Sequence, residues 1–343
     1  MKFNPRYIYV VLGVLIVSGL LVAGAAGFLP YVPEKLSIPG KPVTTSSNPY
    51  EAARCKGGKT VFDCTVKYLQ YLRYLPIYQT SSYQYKYAFP MPEDLQNIAG
   101  SYPWNPQNPF ILGAIEQYLQ VSGRLSDGKY LKPQITTALL SELKESAAKK
   151  EYDPLPFKWV IIRQAMKNEE VSLYENGRKV FSSPANTGEY STTSDGTFFV
   201  YLRYDSTTMS GLSPARIPEN VFKEMLNKNP KSVGCLNGHP VKWVPYSDSG
   251  ILYVDYFNKS EALHYIYRAH YGFPQSAGCV ELPLKKAKFL HENIGYGTMV
   301  TVSGITEPPV ATKPGTSSLE ACLLPQSKPK PGKVAISHIK HHL

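Results

Sequence analysis

The reactive side chains of this chain concentrate in residues 262–282, whose sequence is ALHYIYRAHYGFPQSAGCVEL. Near the end of this stretch Ala277 and Gly278 precede Cys279, and His264 lies 15 positions before that cysteine. A thiol becomes a useful nucleophile where a nearby imidazole takes its proton. A small residue and a glycine let the backbone turn sharply, so that successive N–H groups face the oxygen of a tetrahedral intermediate. The stretch predicts a Cys279 nucleophile with His264 as its base on a neighbouring strand.

Other interpretations of these residues stay open. His270 lies nine positions before Cys279 on a predicted loop, so it is a rival base that we expect at the rim of the site. One histidine and one cysteine alone are weak evidence, and a structural imidazole in the core is the alternative for His264. Cys235 and His239 have a spacing possible for zinc ligands, but no second pair is nearby. We therefore expect no metal and no cofactor.

The sequence on either side of this stretch, from residue 157 to residue 304, has the pattern of strands. Short apolar runs alternate with turn signals, and Asn176-Gly177 predicts a β-hairpin. Many short strands with few helices are typical of a sandwich or a barrel, so we predict a mostly β catalytic domain. The clearest predicted strands are Trp159–Ile162, Val171–Tyr174, Gly196–Leu202, Ile251–Phe257 and Gly297–Val302.

Residues 271–280 resemble the signature of the YkuD-type L,D-transpeptidases, which are cysteine peptidoglycan transpeptidases. That signature is a strand ending in His, a loop, and then Gly-x-Pro-x-Ser-His-Gly-Cys-Val/Ile. Weaker likenesses extend over the β domain, at residues 184–188, 194–198, 208–211 and 297–300. The resemblance implies that Cys279 attacks a peptidoglycan stem peptide, releases its terminal D-Ala and forms a thioester. An amine acceptor then resolves the thioester, with His264 acting as base and later as acid.

Two positions depart from the family pattern. Ala277 stands where the family has His, and Glu281 stands where it has Arg or Asn. The first change removes a side chain from the pocket wall but leaves the upstream base. The second puts a carboxylate where a donor is usual, which alters recognition of a substrate carboxylate or raises the pKa of the thiol. The alternative function is therefore a catalytically weak or silent, anchored peptidoglycan-binding protein.

The expected site contains a nucleophile loop and a substrate rim. The backbone N–H groups of Gly278 and Cys279 are the expected oxyanion donors. The loop comprises Ser276, Ala277 and Gly278, and the rim comprises His270, Tyr271, Glu281, Met209 and Gly211.

Residues 51–150 precede the β domain and are predicted to be helical. Apolar residues at helical spacing occur near 66–75, 110–120 and 134–143, with a Pro-rich connection from Phe89 to Phe110. The last two segments, joined through an Asp-Gly loop, resemble the small helical peptidoglycan-binding domains of wall enzymes. A plain helical spacer explains the pattern equally well.

The N-terminus predicts a single-pass membrane anchor within residues 1–30. Residues 7–29 are almost wholly apolar and follow Lys2 and Arg6, and a run of this length crosses a hydrocarbon core of about 30 Å. Positive residues on the short leading side predict that everything after the anchor lies outside the cytoplasm, with the catalytic domain on the cell-wall side. A cleavable signal peptide ending near Ala23-Gly24-Ala25 is the alternative.

The remaining segments and the charge agree with an exported wall protein. Residues 31–50 are predicted to be a linker, and the Pro/Lys-rich tail at 305–343 is predicted to be disordered. The net charge of +11 favours anionic surroundings. Its Lys and Arg residues are scattered, so we expect no nucleic-acid partner.

The chain has five cysteines, an odd number, and an exported compartment favours pairing of those that can meet. Cys55 and Cys64 flank a short turn and can close a small loop. A free Cys279 then leaves Cys235 to pair with Cys322. The alternative is a buried Cys235 with a loose Cys322 thiol.

Overall fold

The computed structural model describes residues 55, 59–79, 85–304 and 322. These residues all belong to one unit, Ser47–Leu343. The predicted membrane anchor, the linker and most of the predicted tail lie outside the described residues. Among the described helices, none combines the length and the apolar character needed to cross a bilayer.

Six helices and twelve strands follow one another in the described part of the chain. The helices are α1 (Val61–Tyr71), α2 (Glu93–Gly100), α3 (Pro109–Val121), α4 (Thr137–Lys149), α5 (Glu219–Lys228) and α6 (Leu284–Asn293). The strands are β1 (Ile77–Gln79), β2 (Tyr85–Tyr87), β3 (Lys158–Gln164), β4 (Glu170–Glu175), β5 (Arg178–Pro184), β6 (Gly196–Phe199), β7 (Leu202–Arg216), β8 (Val233–Leu236), β9 (His239–Asn258), β10 (Glu261–Tyr265), β11 (Val280–Leu282) and β12 (Met299–Gly304).

The helices begin where polar side chains satisfy their first N–H groups. Thr60 Oγ1 accepts from the Asp63 N–H (3.2 Å), and the Asp63 carboxylate accepts from the Thr60 N–H (3.0 Å), a capping box that starts α1. Asn108 Oδ1 accepts from the Phe110 N–H (3.0 Å) and starts α3, with proline at its first position. The expected Pro-rich connection before α3 contains a further helix, α2.

The helical region and the β domain share one core. An added Cβ at Gly113 of α3 would lie 2.8 Å from the Met299 sulfur and 3.0 Å from the Gly297 carbonyl oxygen, so glycine favours the close approach of this helix to β12. The shared cluster contains Leu69, Phe110, Ile115 and Leu143 from the helices and Trp159, Ile161 and Met299 from β3 and β12.

The β domain consists of two five-stranded sheets around a second core. The first sheet has the strand order β5-β4-β3-β12-β6, and the second has β11-β10-β9-β7 with β8 paired to β9. As predicted, Asn176-Gly177 forms the turn between β4 and β5, and both residues have positive φ. The core between the sheets is formed by Val160, Ile162, Leu173, Phe257, Leu263, Val280 and Leu282. The region from 157 to 304 is therefore mostly β, with some helices.

The predicted strand Gly196–Leu202 is two strands in different sheets. The Val200 N–H donates to the Thr298 carbonyl (2.9 Å), whereas the Tyr201 N–H donates to the Tyr256 carbonyl (2.9 Å). The chain therefore crosses between the sheets at this point. The predicted strand Ile251–Phe257 is the end of the much longer β9.

Strands β7 and β9 form a long hairpin, paired from Leu202↔Tyr256 to Arg216↔Val241. Its far end carries α5 and β8, which enclose a small core around Phe222. A disulfide joins Cys235 of β8 to Cys322, with their Cα atoms 5.8 Å apart. Cys55 and Cys64 form a second disulfide, so both pairs named from the sequence are present.

Candidate functional site

The parallel pairing of β10 and β11 assembles the candidate site. Its register places His264 beside Glu281. Cys279 comes two residues before Glu281, just ahead of β11, and side chains two apart on an extended strand point to the same face. His264, Cys279 and Glu281 all line one cleft of about 450 Å³. The loop from 266 to 279 thus returns the predicted nucleophile to the strand that carries the predicted base.

The thiol and the imidazole are both held in their neutral forms. Burial raises the pKa of Cys279 to about 12, and the charges of Glu281 and Glu261 add to the rise. Burial lowers the pKa of His264, although the Glu281 carboxylate opposes this. The Cys279 thiol donates to the Ser260 carbonyl (3.6 Å), and His264 Nδ1 has no hydrogen-bond partner among the described residues. The resting site therefore contains a thiol and a neutral imidazole, ready to accept a proton.

The nucleophile loop is held by its own side chains and backbone. The buried Ser276 hydroxyl donates to the Cys279 carbonyl (2.6 Å) and accepts from the Gly278 N–H (3.1 Å). The Gly278 N–H, an expected oxyanion donor, is thus already engaged. Gly278 has φ of +142°, and an added Cβ would lie 3.3 Å from the Thr192 carbonyl oxygen, so the turn favours glycine.

The buried carboxyl of Glu169 supports the nucleophile loop through Thr187. Glu169 accepts from the Thr187 N–H (2.6 Å), the Thr187 hydroxyl (2.5 Å) and the Ala165 N–H (3.2 Å), and burial raises its pKa. Thr187 then accepts at its carbonyl from the Ser276 N–H (3.0 Å). The Thr193 hydroxyl donates to the Gly278 carbonyl (2.9 Å). The loop is therefore positioned by Glu169, Thr187 and Thr193, none of which carries a site signal in the sequence.

Glu281 is neutralised by an arginine from the same loop. Its carboxylate is 3% exposed and accepts from Arg268 Nε (2.8 Å) and Nη2 (2.6 Å). The Asn186 side-chain amide donates to it as well (3.3 Å). This bond pattern raises the pKa of Arg268, whose side chain is 33% exposed and lines the cleft. The Glu281 carboxylate, at a position where the family has Arg or Asn, therefore forms an ion pair with Arg268.

The expected rim residues fall into two groups. Met209 and Gly211 of β7 line the cleft together with Glu281, and Ala277 is an exposed part of the lining. His270 and Tyr271 lie outside the lining. The His270 carbonyl accepts from the Gln275 side chain (2.9 Å), and the Tyr271 hydroxyl donates to the Ile266 carbonyl (2.7 Å). Both residues therefore contribute to the shape of the loop.

Several cleft residues had no signal in the sequence. Tyr246 and Asp248 of β9 and Ser260 before β10 line the cleft, because the long hairpin and the β9–β10 turn contribute to its wall. Arg268 lies in the quoted stretch, but only the folded loop brings it to Glu281. Cys235 is in a disulfide and is not available as a zinc ligand, whereas Cys279 is a free thiol.

Residues 158–302 match the YkuD family of proteins, which is described as the L,D-transpeptidase catalytic domain. No curated protein sequence matches the chain.

Three similar solved structures are all L,D-transpeptidases. One from Mycobacterium smegmatis is 13% identical with a TM-score of 0.30, and the match covers 43% of this chain and 59% of that one. L,D-transpeptidase 3 from Mycobacterium tuberculosis is 15% identical with a TM-score of 0.30, over 43% of this chain and 62% of that one. The E. faecium catalytic domain is 20% identical with a TM-score of 0.30, over 42% of this chain and 96% of that one. The match thus spans less than two thirds of either mycobacterial chain.

Proposed function

Because residues 158–302 are a YkuD-type L,D-transpeptidase catalytic domain, we propose that the protein is a cell-wall transpeptidase whose Cys279 carries the acyl group of a peptidoglycan stem peptide. The observation that supports this proposal is the shared cleft, in which a free thiol just ahead of β11 and a neutral imidazole on the adjacent β10 line the same wall. A general base must be able to accept a proton at working pH, and a His264 of lowered pKa can do so.

The reaction exchanges one amide for another. Cys279 Sγ attacks the carbonyl carbon before the terminal D-Ala of the donor stem, and its proton passes to His264. His264 then protonates the departing D-Ala amine as the C–N bond breaks, which leaves a thioester. An acceptor amine attacks the thioester and gives its proton to His264. That proton returns to the sulfur as the thiol leaves, so the cycle needs no ATP.

Backbone N–H groups of the nucleophile loop are the proposed oxyanion donors. The Gly278 N–H already donates to Ser276 Oγ. The Ala277 N–H has no hydrogen-bond acceptor among the described residues and borders the cleft, so we assign it this role beside the Cys279 N–H. A preorganised donor of this type contributes about 10²–10³-fold to the rate.

Arg268 is the proposed anchor for a substrate carboxylate. Its bonds to Glu281 use Nε and Nη2, which leaves Nη1 for a ligand in the cleft. A fixed guanidinium suits carboxylate recognition. On this proposal Glu281 and Arg268 together supply the donor that the family pattern has at position 281.

The proposed place of action is the outer face of the cell membrane. The support is the apolar segment at residues 7–29 and the two disulfides, which form and persist in oxidising compartments. Adding a protease to intact cells would test this location, since a protein whose folded part lay in the cytoplasm would be protected from cleavage.

Mass spectrometry of an acyl adduct tests the function. The purified protein is incubated with a tetrapeptide stem or a carbapenem, and we expect the added mass on the peptide that contains Cys279. The Cys279→Ser variant should show no thioester. A protein that binds stem peptides but gives neither adduct nor released D-Ala would support the silent binding protein instead.

A further inference from the structure

A second cavity, of about 380 Å³, lies where the helical region meets the β domain, away from Cys279. Its lining includes Asp127 from the loop after α3, Asp205 from β7 and His291 from α6. One ligand atom from each of these three residues lies within 4.8 Å of the other two. Segments distant in sequence thus converge on one point with two carboxylates and an imidazole.

The imidazole is oriented by a buried carboxylate. His291 is 4% exposed, and its Nδ1 lies 3.0 Å from both oxygens of Asp255, which is 1% exposed. A carboxylate only accepts, so His291 donates its Nδ1–H and directs Nε2 into the cavity. This carboxylate–histidine arrangement is the usual support of a metal-bound histidine.

The first pair of donor atoms already has the spacing of metal ligands. His291 Nε2 is 3.4 Å from Asp205 Oδ1. Two ligands of a tetrahedral zinc ion at about 2.1 Å are about 3.4 Å apart. Asp205 and Asp127 have side chains 89% and 45% exposed, so each can rotate toward the ion without disturbing the core. Without an ion or a second proton, the Nε2 lone pair faces a carboxylate, which is repulsive.

The charge of the cavity also favours a divalent cation. The lining carboxylates of Asp127 and Asp205 and the Asp255 carboxylate behind His291 are accompanied by one guanidinium, that of Arg203, which contacts Asp255 (2.7 Å) and Asp127 (3.4 Å). These four groups together carry two negative charges. The other charged residues of the lining have partners of their own, Lys158 with Glu175 (3.8 Å) and Glu292 with Lys288 (3.7 Å).

We propose that Asp127, Asp205 and His291 bind one divalent transition-metal ion, with zinc favoured by the imidazole ligand and the tetrahedral spacing. The fourth position is open to water from the cavity. The ion would join the loop after α3 to β7 and α6, and would hold the helical region against the β domain whatever the chemistry of Cys279.

Calorimetric titration with Zn²⁺ tests the site on the purified full-length protein, stripped of metal with a chelator. Other side chains that could bind zinc are removed first. Cys279 is replaced by serine, and alanine replaces three histidines of the C-terminal sequence, His338, His341 and His342. We expect one ion per chain in this background and a higher Tm when zinc is added.

Conservative variants locate the ion. Asp127→Asn and Asp205→Asn should each weaken Zn²⁺ binding at least tenfold and abolish the rise in Tm. Asp94→Asn is the matched control, because Asp94 is a similarly exposed aspartate (56%) that pairs with Arg163 (3.7 Å), and it should bind zinc as the parent does. The proposal would be overturned if both site variants bound Zn²⁺ with the affinity of the parent. A parent that binds no zinc would also overturn it, in which case His291 carries a second proton between two aspartates.

Discussion

Replacing Glu116 by glutamine should remove a pH dependence from the stability of the protein. Glu116 lies on α3 with no exposed surface, and neither of its carboxyl oxygens has a hydrogen-bond partner among the described residues. Burial raises its pKa from 4.5 to about 8. An ionised carboxylate without a partner is costly in such a place, so the folded protein keeps the group protonated.

The sign and size of the effect follow from proton linkage. Between pH 4.5 and 8 the folded state holds a proton at Glu116 that the unfolded state has released, so stability falls as the pH rises. For these two pKa values the loss is about 3 kcal/mol between pH 6 and pH 9, since one pKa unit corresponds to about 1.4 kcal/mol. A protein of ordinary stability, about 5–15 kcal/mol, would show such a change clearly.

Urea unfolding at several pH values measures this loss of stability. The free energy of unfolding of the parent minus that of Glu116→Gln should fall by about 3 kcal/mol from pH 6 to pH 9. Glu145→Gln is the control, because Glu145 is exposed and its hydrogen bond to Lys149 lowers its pKa, so it does not titrate in this window. Parallel curves for the parent and Glu116→Gln would refute the reasoning.

Three further predictions concern the cleft. His264→Ala should lower turnover about 10²-fold or more, the scale of a positioned acid–base, and His270→Ala should have little effect; the reverse order in steady-state assays would assign the base to His270. Iodoacetamide should alkylate Cys279 slowly at pH 8 and faster as the pH rises, because the pKa of the thiol is about 12; rapid labelling at pH 6 would contradict a resting thiol. Arg268→Gln should raise KM for a stem with a free carboxylate more than KM for its amide. Exchanging Arg268 and Glu281 should restore part of the lost preference for the carboxylate. Equal effects on both substrates would show that Arg268 has no part in recognition.

The sequence located the candidate site because its two reactive side chains lie in one contiguous stretch. His264 and Cys279 flank a single loop, and parallel pairing of the strands at its ends brings them to one face. The partner of Glu281 was not predictable in this way. A carboxylate at an unusual position could be seen in the sequence, but its neutralisation by Arg268 depends on how the loop between them folds.

Long-range features of the fold were beyond sequence patterns for a related reason. Glu116 interrupts an apolar run on α3, and nothing local shows that this helix is covered on nearly every side. The strand at Gly196–Leu202 has one continuous β pattern although its two halves pair in different sheets. Asp127, Asp205 and His291 come from separate segments that no spacing rule connects.

The disulfide between Cys235 and Cys322 has a consequence for biosynthesis. Its two cysteines are 87 residues apart, and the intervening chain contains Cys279. A ribosome completes Cys279 before Cys322, so for a time the only later cysteine available to Cys235 is Cys279. In an oxidising compartment, oxidation in that interval would join Cys235 to Cys279 and block the thiol until exchange released it, a process of about minutes to hours without an isomerase. Maturation of this protein should therefore depend on a disulfide isomerase, and the fraction with a free Cys279 should rise with the time allowed for exchange.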